Sequence, residues 1–307
     1  MNDIESSISQ LSSEERVRPS GLISLFKRAP NSLRWRIRIG GRKLKREAAG
    51  LIHRVQGRKI VHLFHLGKTG GTAIRAALAG HEKAGAYELI LHTHGLVLDQ
   101  IPTAEHFAFV LRDPATRFVS GFNSRRRQEK PRHDGPWSAE EEQAFSRFET
   151  PNQLALALSS DDPETRAFAA KAIHNIRHIE WPQWKWFKSV DYLLKRRSKI
   201  LFIGFQETLD DDFALFRRIL NLPEGIELPR DDVAAHRNPA HLDKRLDPEA
   251  IRNLKIWFRK DFEFVELCKQ IAAEIRAQYD STPSLPTDLA QTAGGQGNSR
   301  SSGTALL

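Results

Sequence analysis

Two segments of the same design constrain this chain more than anything else in it. The first, Lys59-Ile60-Val61-His62-Leu63-Phe64-His65-Leu66-Gly67-Lys68-Thr69-Gly70-Gly71-Thr72, reads as an apolar strand, a Gly/Lys/Thr loop and the start of a helix. The second, His106-Phe107-Ala108-Phe109-Val110-Leu111-Arg112-Asp113-Pro114-Ala115-Thr116-Arg117-Phe118-Val119-Ser120, is again an apolar strand, here ending in an arginine and followed by a helix that Pro114 opens. A helix N-terminus presents N–H groups without intrahelical partners and the positive end of the helix dipole, so phosphate or sulfate binds there readily. The pair reads as two phosphate grips for one nucleotide.

Strand patterns recur over Ile60–His65, Tyr87–Leu91, Phe107–Leu111 and Ile200–Phe205. Helical patterns lie between and after them, over Thr72–Ala79, Thr116–Arg127, Leu154–Leu158 extended through 163–178, Leu209–Leu220 and Pro248–Arg276. Strands alternating with helices imply an α/β domain, a mostly parallel sheet with helices on both faces. At Asp247-Pro248-Glu249 the expectation is a helix capped by Asp247, with proline at its first position. This body runs over 59–280. Residues 281–307 are Ser/Thr/Gly/Gln-rich without apolar period and are expected to be disordered.

Charge sets residues 1–58 apart. Residues 1–15 carry four acidic groups and no Lys or Arg, while 16–59 carry a net +13. The formal total is +9, so the remainder is neutral. The basic arm alternates apolar with basic residues at Leu33-Arg34-Trp35-Arg36-Ile37-Arg38-Ile39. It is either an anionic-membrane contact or a solvated appendage. A neutral body argues against a nucleic-acid-binding protein, which the pI of 9.8 alone would suggest. No apolar run approaches a membrane span, and the single cysteine, Cys268, permits no intrachain disulfide, which fits a reducing compartment.

In the first grip, Gly67, Gly70 and Gly71 let the backbone approach a ligand, Lys68 adds a full charge, and Thr69 and Thr72 add hydroxyls. It is not a Walker A loop, because His62 stands where that motif needs its first glycine. This counts against a P-loop kinase, which also needs a magnesium-binding carboxylate. In the second grip, the Arg112 guanidinium and Ser120 hydroxyl suit one terminal phosphate.

With these residues in view the chain resembles the carbohydrate sulfotransferases. His65 to Thr72 is similar to their H-[IL]-P-K-T-G-G-[ST] motif, with Gly67 where many members carry proline. Arg112 to Ser120 is similar to their R-D-P-x-x-R-x-x-S segment. The resemblance is strong over 59–127. It is looser over Phe202–Leu220 and His236–Cys268, which read like the C-terminal half of bacterial members. It implies a P-loop NTPase-like three-layer sandwich and a sulfuryl donor, 3′-phosphoadenosine-5′-phosphosulfate (PAPS). The first loop (Lys68, Thr69, Gly70, Gly71, Thr72) would hold the 5′-phosphosulfate, and Arg112 and Ser120 the 3′-phosphate. His236-Arg237-Asn238-Pro239 with Lys244 is similar to the family's late basic loop, so Arg237 and Lys244 join the nucleotide set.

His92-Thr93-His94 resembles the H-x-H of 2-O-sulfotransferases. That assigns His94 as general base and His92 as its support, and neutral histidine suits proton removal near pH 7. Arg125 and Arg126, with Trp184 and Trp186, either line an acceptor cleft or belong to the packing. No residue pattern has metal-ligand spacing. The expectation is a cytoplasmic or membrane-peripheral enzyme that acts on a glycan or glycolipid hydroxyl, without metal.

Overall fold

A computed structural model of the chain describes residues 57–131, 134–231 and 242–280. The basic arm up to residue 56, Arg237 and the tail 281–307 lie outside the described residues.

Five strands form one sheet in the order β2-β3-β1-β4-β5. They are β1 (Lys59–Leu63), β2 (Lys83–Ala84), β3 (Tyr87–Leu91), β4 (His106–Leu111) and β5 (Ile200–Phe205). All pairs are parallel except β2 against β3. The long strands are apolar throughout because helices cover both faces of the sheet. Alternation along β4 assigns its side chains. Ala108 and Val110 join Val61, Leu63 and Phe202 under α1 (Gly71–Leu78) and the amphipathic α7 (Leu209–Leu220). Phe107, Phe109 and Leu111 face the other way, onto Phe187, Phe264 and Cys268. The α/β fold with a mostly parallel central sheet between helical layers is therefore present.

A third core is purely helical. It joins α2 (Pro114–Arg126), α3 (Ala139–Arg147), α4 (Pro151–Leu156), α5 (Pro163–Asn175) and α8 (Pro248–Trp257). The short α6 (Val190–Lys195) precedes β5. Asp113 caps α2 by accepting from the Thr116 N–H at 2.9 Å, with Pro114 at the first position.

Three local expectations need correction. The helical stretch expected over 154–178 is two helices, with a 3₁₀ turn and Asp162-Pro163 starting the second. The helix expected over Pro248–Arg276 breaks at Phe258, and α9 (Arg259–Asp280) follows. The break lets Phe258 join the helical core while Phe264, Val265 and Cys268 join the sheet core. Asp247 makes no side-chain cap; its carboxylate accepts from Asn152 Nδ2 at 2.8 Å, tying α8 to α4.

Because the long strands run parallel, the segments after β1, β3, β4 and β5 all emerge at one sheet edge. Chain order runs from β1 outward to β3, then back across β1 to β4. Such a switch point is where open α/β sheets bind ligands.

Candidate active site

The sheet edge opens into a cavity of about 780 Å³. Lys68, Gly70, Gly71 and Thr72 line it from the β1 side, His94 from the β3 side, Arg112 and Ser120 from the β4 side, and Gln206 after β5. Lys244, Leu246, Ile251, Lys255 and Phe262 close it from the helical layer. The structure thus gathers Lys68, Gly70, Gly71, Thr72, His94, Arg112, Ser120 and Lys244 from the sequence-derived set.

The first loop is tightly drawn. Lys68 itself is left-handed, at φ 69, and Gly70 caps α1 at φ 88. A non-glycine residue in that region is strained and persists only where its surroundings hold it. The holding groups are cationic: Arg112 Nη1 donates to the Lys68 carbonyl at 3.3 Å, and the buried Arg117 donates from Nε to the Gly67 carbonyl at 3.0 Å. Gly71 has no room for a side chain, since a Cβ there would stand 2.6 Å from His65 Cδ2. Thr69 turns inward, its hydroxyl donating to the Leu66 carbonyl at 3.2 Å, and so shapes the loop without lining the cavity.

Desolvation, reinforced by Arg127 and Arg112, pushes the Lys68 ammonium down to about 7. A lysine held this way gains charge when an anion arrives, which suits a phosphate-binding residue.

His94 is fixed by its neighbour. Its Nδ1–H donates to the His65 carbonyl at 3.2 Å, and its ring lies 3.9 Å from the His65 ring, centroid to centroid. That bond selects the tautomer with a lone pair on Nε2. Desolvation lowers the His94 pKa, the His65 bond opposes this, and the Lys68 and Arg75 charges lower it further. The ring is therefore neutral near pH 7, as a proton acceptor must be. His92 takes another direction. Its Nε2 meets His62 Nδ1 at 2.8 Å, and His62 Nε2 donates to the buried Glu105 carboxylate at 2.6 Å. It thus joins a polar chain with His62 and Glu105.

The Arg112 loop is braced from two sides. Gln183 brackets its backbone, accepting from Arg112 N at 3.0 Å and donating to Arg112 O at 2.7 Å. Glu207 accepts from the Asp113 N–H at 3.0 Å and the Thr116 hydroxyl at 3.1 Å, so this carboxylate orders the second grip. Asn123 donates to the Asp243 carbonyl at 2.8 Å and so anchors the segment bearing Lys244 to α2.

Four expected acceptor residues are not among those lining this cavity. Arg125 is fully buried, with Nε and Nη2 on Glu141 at 2.7 and 2.5 Å. It is a structural ion pair and not a cleft arginine, because its charge is already neutralised. Arg126 donates to the Phe145 and Phe148 carbonyls and so closes the C-terminal end of α3. Trp186 lies under the Arg117 guanidinium at 5.6 Å. Trp184, with Lys260 Nζ 3.7 Å above its ring, borders a separate cavity of about 390 Å³. Sequence reasoning also passed over His65, Arg117, Gln183 and the pair His178–Glu129. The first two stand inside the quoted motifs, so their positions were a usable signal. Gln183, His178 and Glu129 carry none.

No curated protein matches the chain. The model of the Sulfotransferase family matches residues 92–266, more than half of the chain. That span begins at the H-x-H, takes in the second grip and β5, and ends in the first part of α9. With that match the chain belongs to the sulfotransferase family, transferases that move a sulfuryl group to an acceptor.

Proposed function

We propose that this protein is a PAPS-dependent sulfotransferase acting on a hydroxyl of a glycan or glycolipid. The observation that carries the reading is the convergence of Lys68, His94, Arg112 and Ser120 on one cavity. PAPS has two anionic ends, and the cavity has two cationic grips, one after β1 and one after β4. The residues fit such a donor: Lys68 and the N-terminus of α1 for the phosphosulfate, Arg112, Ser120 and Lys244 for the 3′-phosphate. Bound there, PAPS supplies the sulfuryl group. Arg237 is assigned to the same nucleotide set on the family resemblance alone.

His94 Nε2 takes the proton of the acceptor hydroxyl as that oxygen attacks sulfur. Lys68 meets the charge that gathers on the departing phosphate oxygen, where a preorganised cation acts most strongly. Catalysis is then mainly positioning and charge stabilisation, as in phosphoryl transfer. No described helix is long and apolar enough to cross a membrane. The proposed setting is the cytoplasm, with the basic arm as a contact to an anionic membrane surface.

His94→Ala tests the assignment. It should lower sulfuryl transfer by about 10²–10⁴-fold, the usual range for a general base, while leaving nucleotide affinity within about twofold. The wild-type rate should rise with pH through a group titrating below the ordinary histidine value, following the lowered His94 pKa. A fully active His94→Ala enzyme with an unchanged pH profile would place the base elsewhere.

A further inference from the structure

Three imidazoles line the cavity: His94, His65 whose ring packs on it, and His178, which takes no part in the transfer described so far. His178 lies in the turn after α5 and lines the same cavity as Lys68 and His94. The two histidines arrive from different flanks of β1: His94 follows β3, whereas His178 packs on α2, which follows β4. Gly121 makes that approach possible, since a Cβ there would stand 2.5 Å from Ile179 Cγ2 and 3.4 Å from His178 Cβ.

The ring is held by a fixed anion. His178 Nε2 donates to Glu129 Oε1 at 2.7 Å. Glu129 is also 3.3 Å from Arg125 Nη1 and 3.9 Å from Arg177 Nη2. The His178 bond is the chief reason that the Glu129 carboxyl falls to about 2. Backbone strain marks the same place: Gln128, Glu129 and His178 have φ of 56, 64 and 77. Non-glycine residues stay in that region only where surrounding contacts fix them, and such strain gathers at functional sites. With Nε2–H committed to Glu129, the lone pair is on Nδ1. That atom lies 3.7 Å from where a Cβ on Gly67 would stand, against the phosphate loop. The charged and titratable groups around the ring are Glu129, Lys68, His94, Arg177 and Arg125. Desolvation holds the imidazole below its ordinary pKa, Glu129 opposes this, and Lys68 and His94 lower it further, so it is neutral near pH 7.

We propose that His178, oriented by Glu129, is a second general base of this site, serving an acceptor hydroxyl presented from the α2 flank. The inference rests on the sulfuryl-transfer reading and extends it. A new bond forms between the acceptor oxygen and sulfur. The bond from sulfur to the phosphate oxygen breaks, and its electron pair leaves with that oxygen, beside Lys68. The hydroxyl proton moves to His178 Nδ1. Glu129 is a positioning residue that fixes the tautomer and stabilises the imidazolium, as a buried carboxylate does for a catalytic histidine elsewhere. Two lone pairs, on His94 Nε2 and His178 Nδ1, then address one cavity from two sides. The acceptor class this suits is a polyol with adjacent hydroxyls, such as a pyranose ring.

Two measurements on the full chain test this. The first is ¹⁵N NMR of histidine-labelled protein with adenosine 3′,5′-bisphosphate bound. The His178 signal should be that of the Nε2–H tautomer, and Glu129→Gln should shift its titration; an Nδ1–H tautomer overturns the proposal without any acceptor being known. The second follows adenosine 3′,5′-bisphosphate release from PAPS with methyl glucoside, galactoside and glucuronide as acceptor probes. His94→Ala should keep a residual rate that the His94→Ala/His178→Ala double variant loses by about 10²-fold or more. Glu129→Gln in the His94→Ala background should lower that rate and move its pH profile, and Glu129→Asp should restore part of it. Equal rates for His94→Ala and the double variant overturn the proposal while leaving the sulfotransferase reading intact. Absence of bisphosphate binding by the wild type would instead remove that reading, and this one with it.

Discussion

Raising the pH from 7 to 9 should weaken binding of adenosine 3′,5′-bisphosphate about fiftyfold, and Lys68 is the reason. In the free protein its ammonium titrates at about 7, lowered by desolvation and then by Arg127 and Arg112. A phosphate beside it returns the pKa toward the ordinary lysine value. If the charged form is the one that binds well, apparent affinity follows the protonated fraction of the free protein. That fraction is about one half at pH 7 and about one hundredth at pH 9 for a pKa of about 7. Binding should therefore take up about half a proton at pH 7 and about nine-tenths at pH 8. His94 and His178 are both lowered below the ordinary histidine value, and a phosphate's second ionisation lies near pH 6. Isothermal titration in buffers of different ionisation enthalpy reads the proton uptake directly. Lys68→Arg is the control, because a guanidinium stays charged throughout. It should bind with little pH dependence. Affinity that stays flat between pH 7 and 9 in the wild type, or an equal slope in Lys68→Arg, would refute the reasoning.

Three further substitutions separate the site from its scaffold. Arg112→Ala should weaken the 3′-phosphorylated nucleotide by about tenfold or more, the cost of a charge-assisted bond, and Ser120→Ala by less, with AMP little affected. Equal losses for AMP and the bisphosphate in competition titration would show that Arg112 only braces the loop through Lys68 O. Arg125→Met should lower stability. Removing one partner of the buried Arg125–Glu141 pair costs about 3–5 kcal/mol, or roughly 10 °C in Tm by calorimetry. An unchanged Tm would contradict the burial and pairing described for Arg125.

The long strands and the two grips were legible in the sequence because each rests on a local pattern. Phe107–Leu111 is apolar at every position since both sheet faces are covered, and Gly70 must cap α1 and Gly71 open it for the loop to close on His65. What was lost depends on partners distant in the chain. Arg125 stands in a basic run that looks solvent-facing, yet Glu141, sixteen residues on, buries and neutralises it. The bond between His178 and Glu129 spans 49 residues and needs left-handed backbone at both. Neither condition leaves a mark in composition. Helix α3 is a different kind of omission: Ser138 and Glu141 form a reciprocal capping box, a pattern present in the sequence before the acidic first turn. The break at Phe258 follows from a choice between two cores, which periodicity within one helix does not encode.

The central claim is that one nucleotide with two phosphates spans the two grips, so the most direct measurement compares adenosine 3′,5′-bisphosphate with AMP by isothermal titration. The account predicts at least about tenfold tighter binding of the bisphosphate, since the second phosphate adds charge-assisted bonds worth about 1.5–3 kcal/mol each. Equal affinity for the two nucleotides would contradict it.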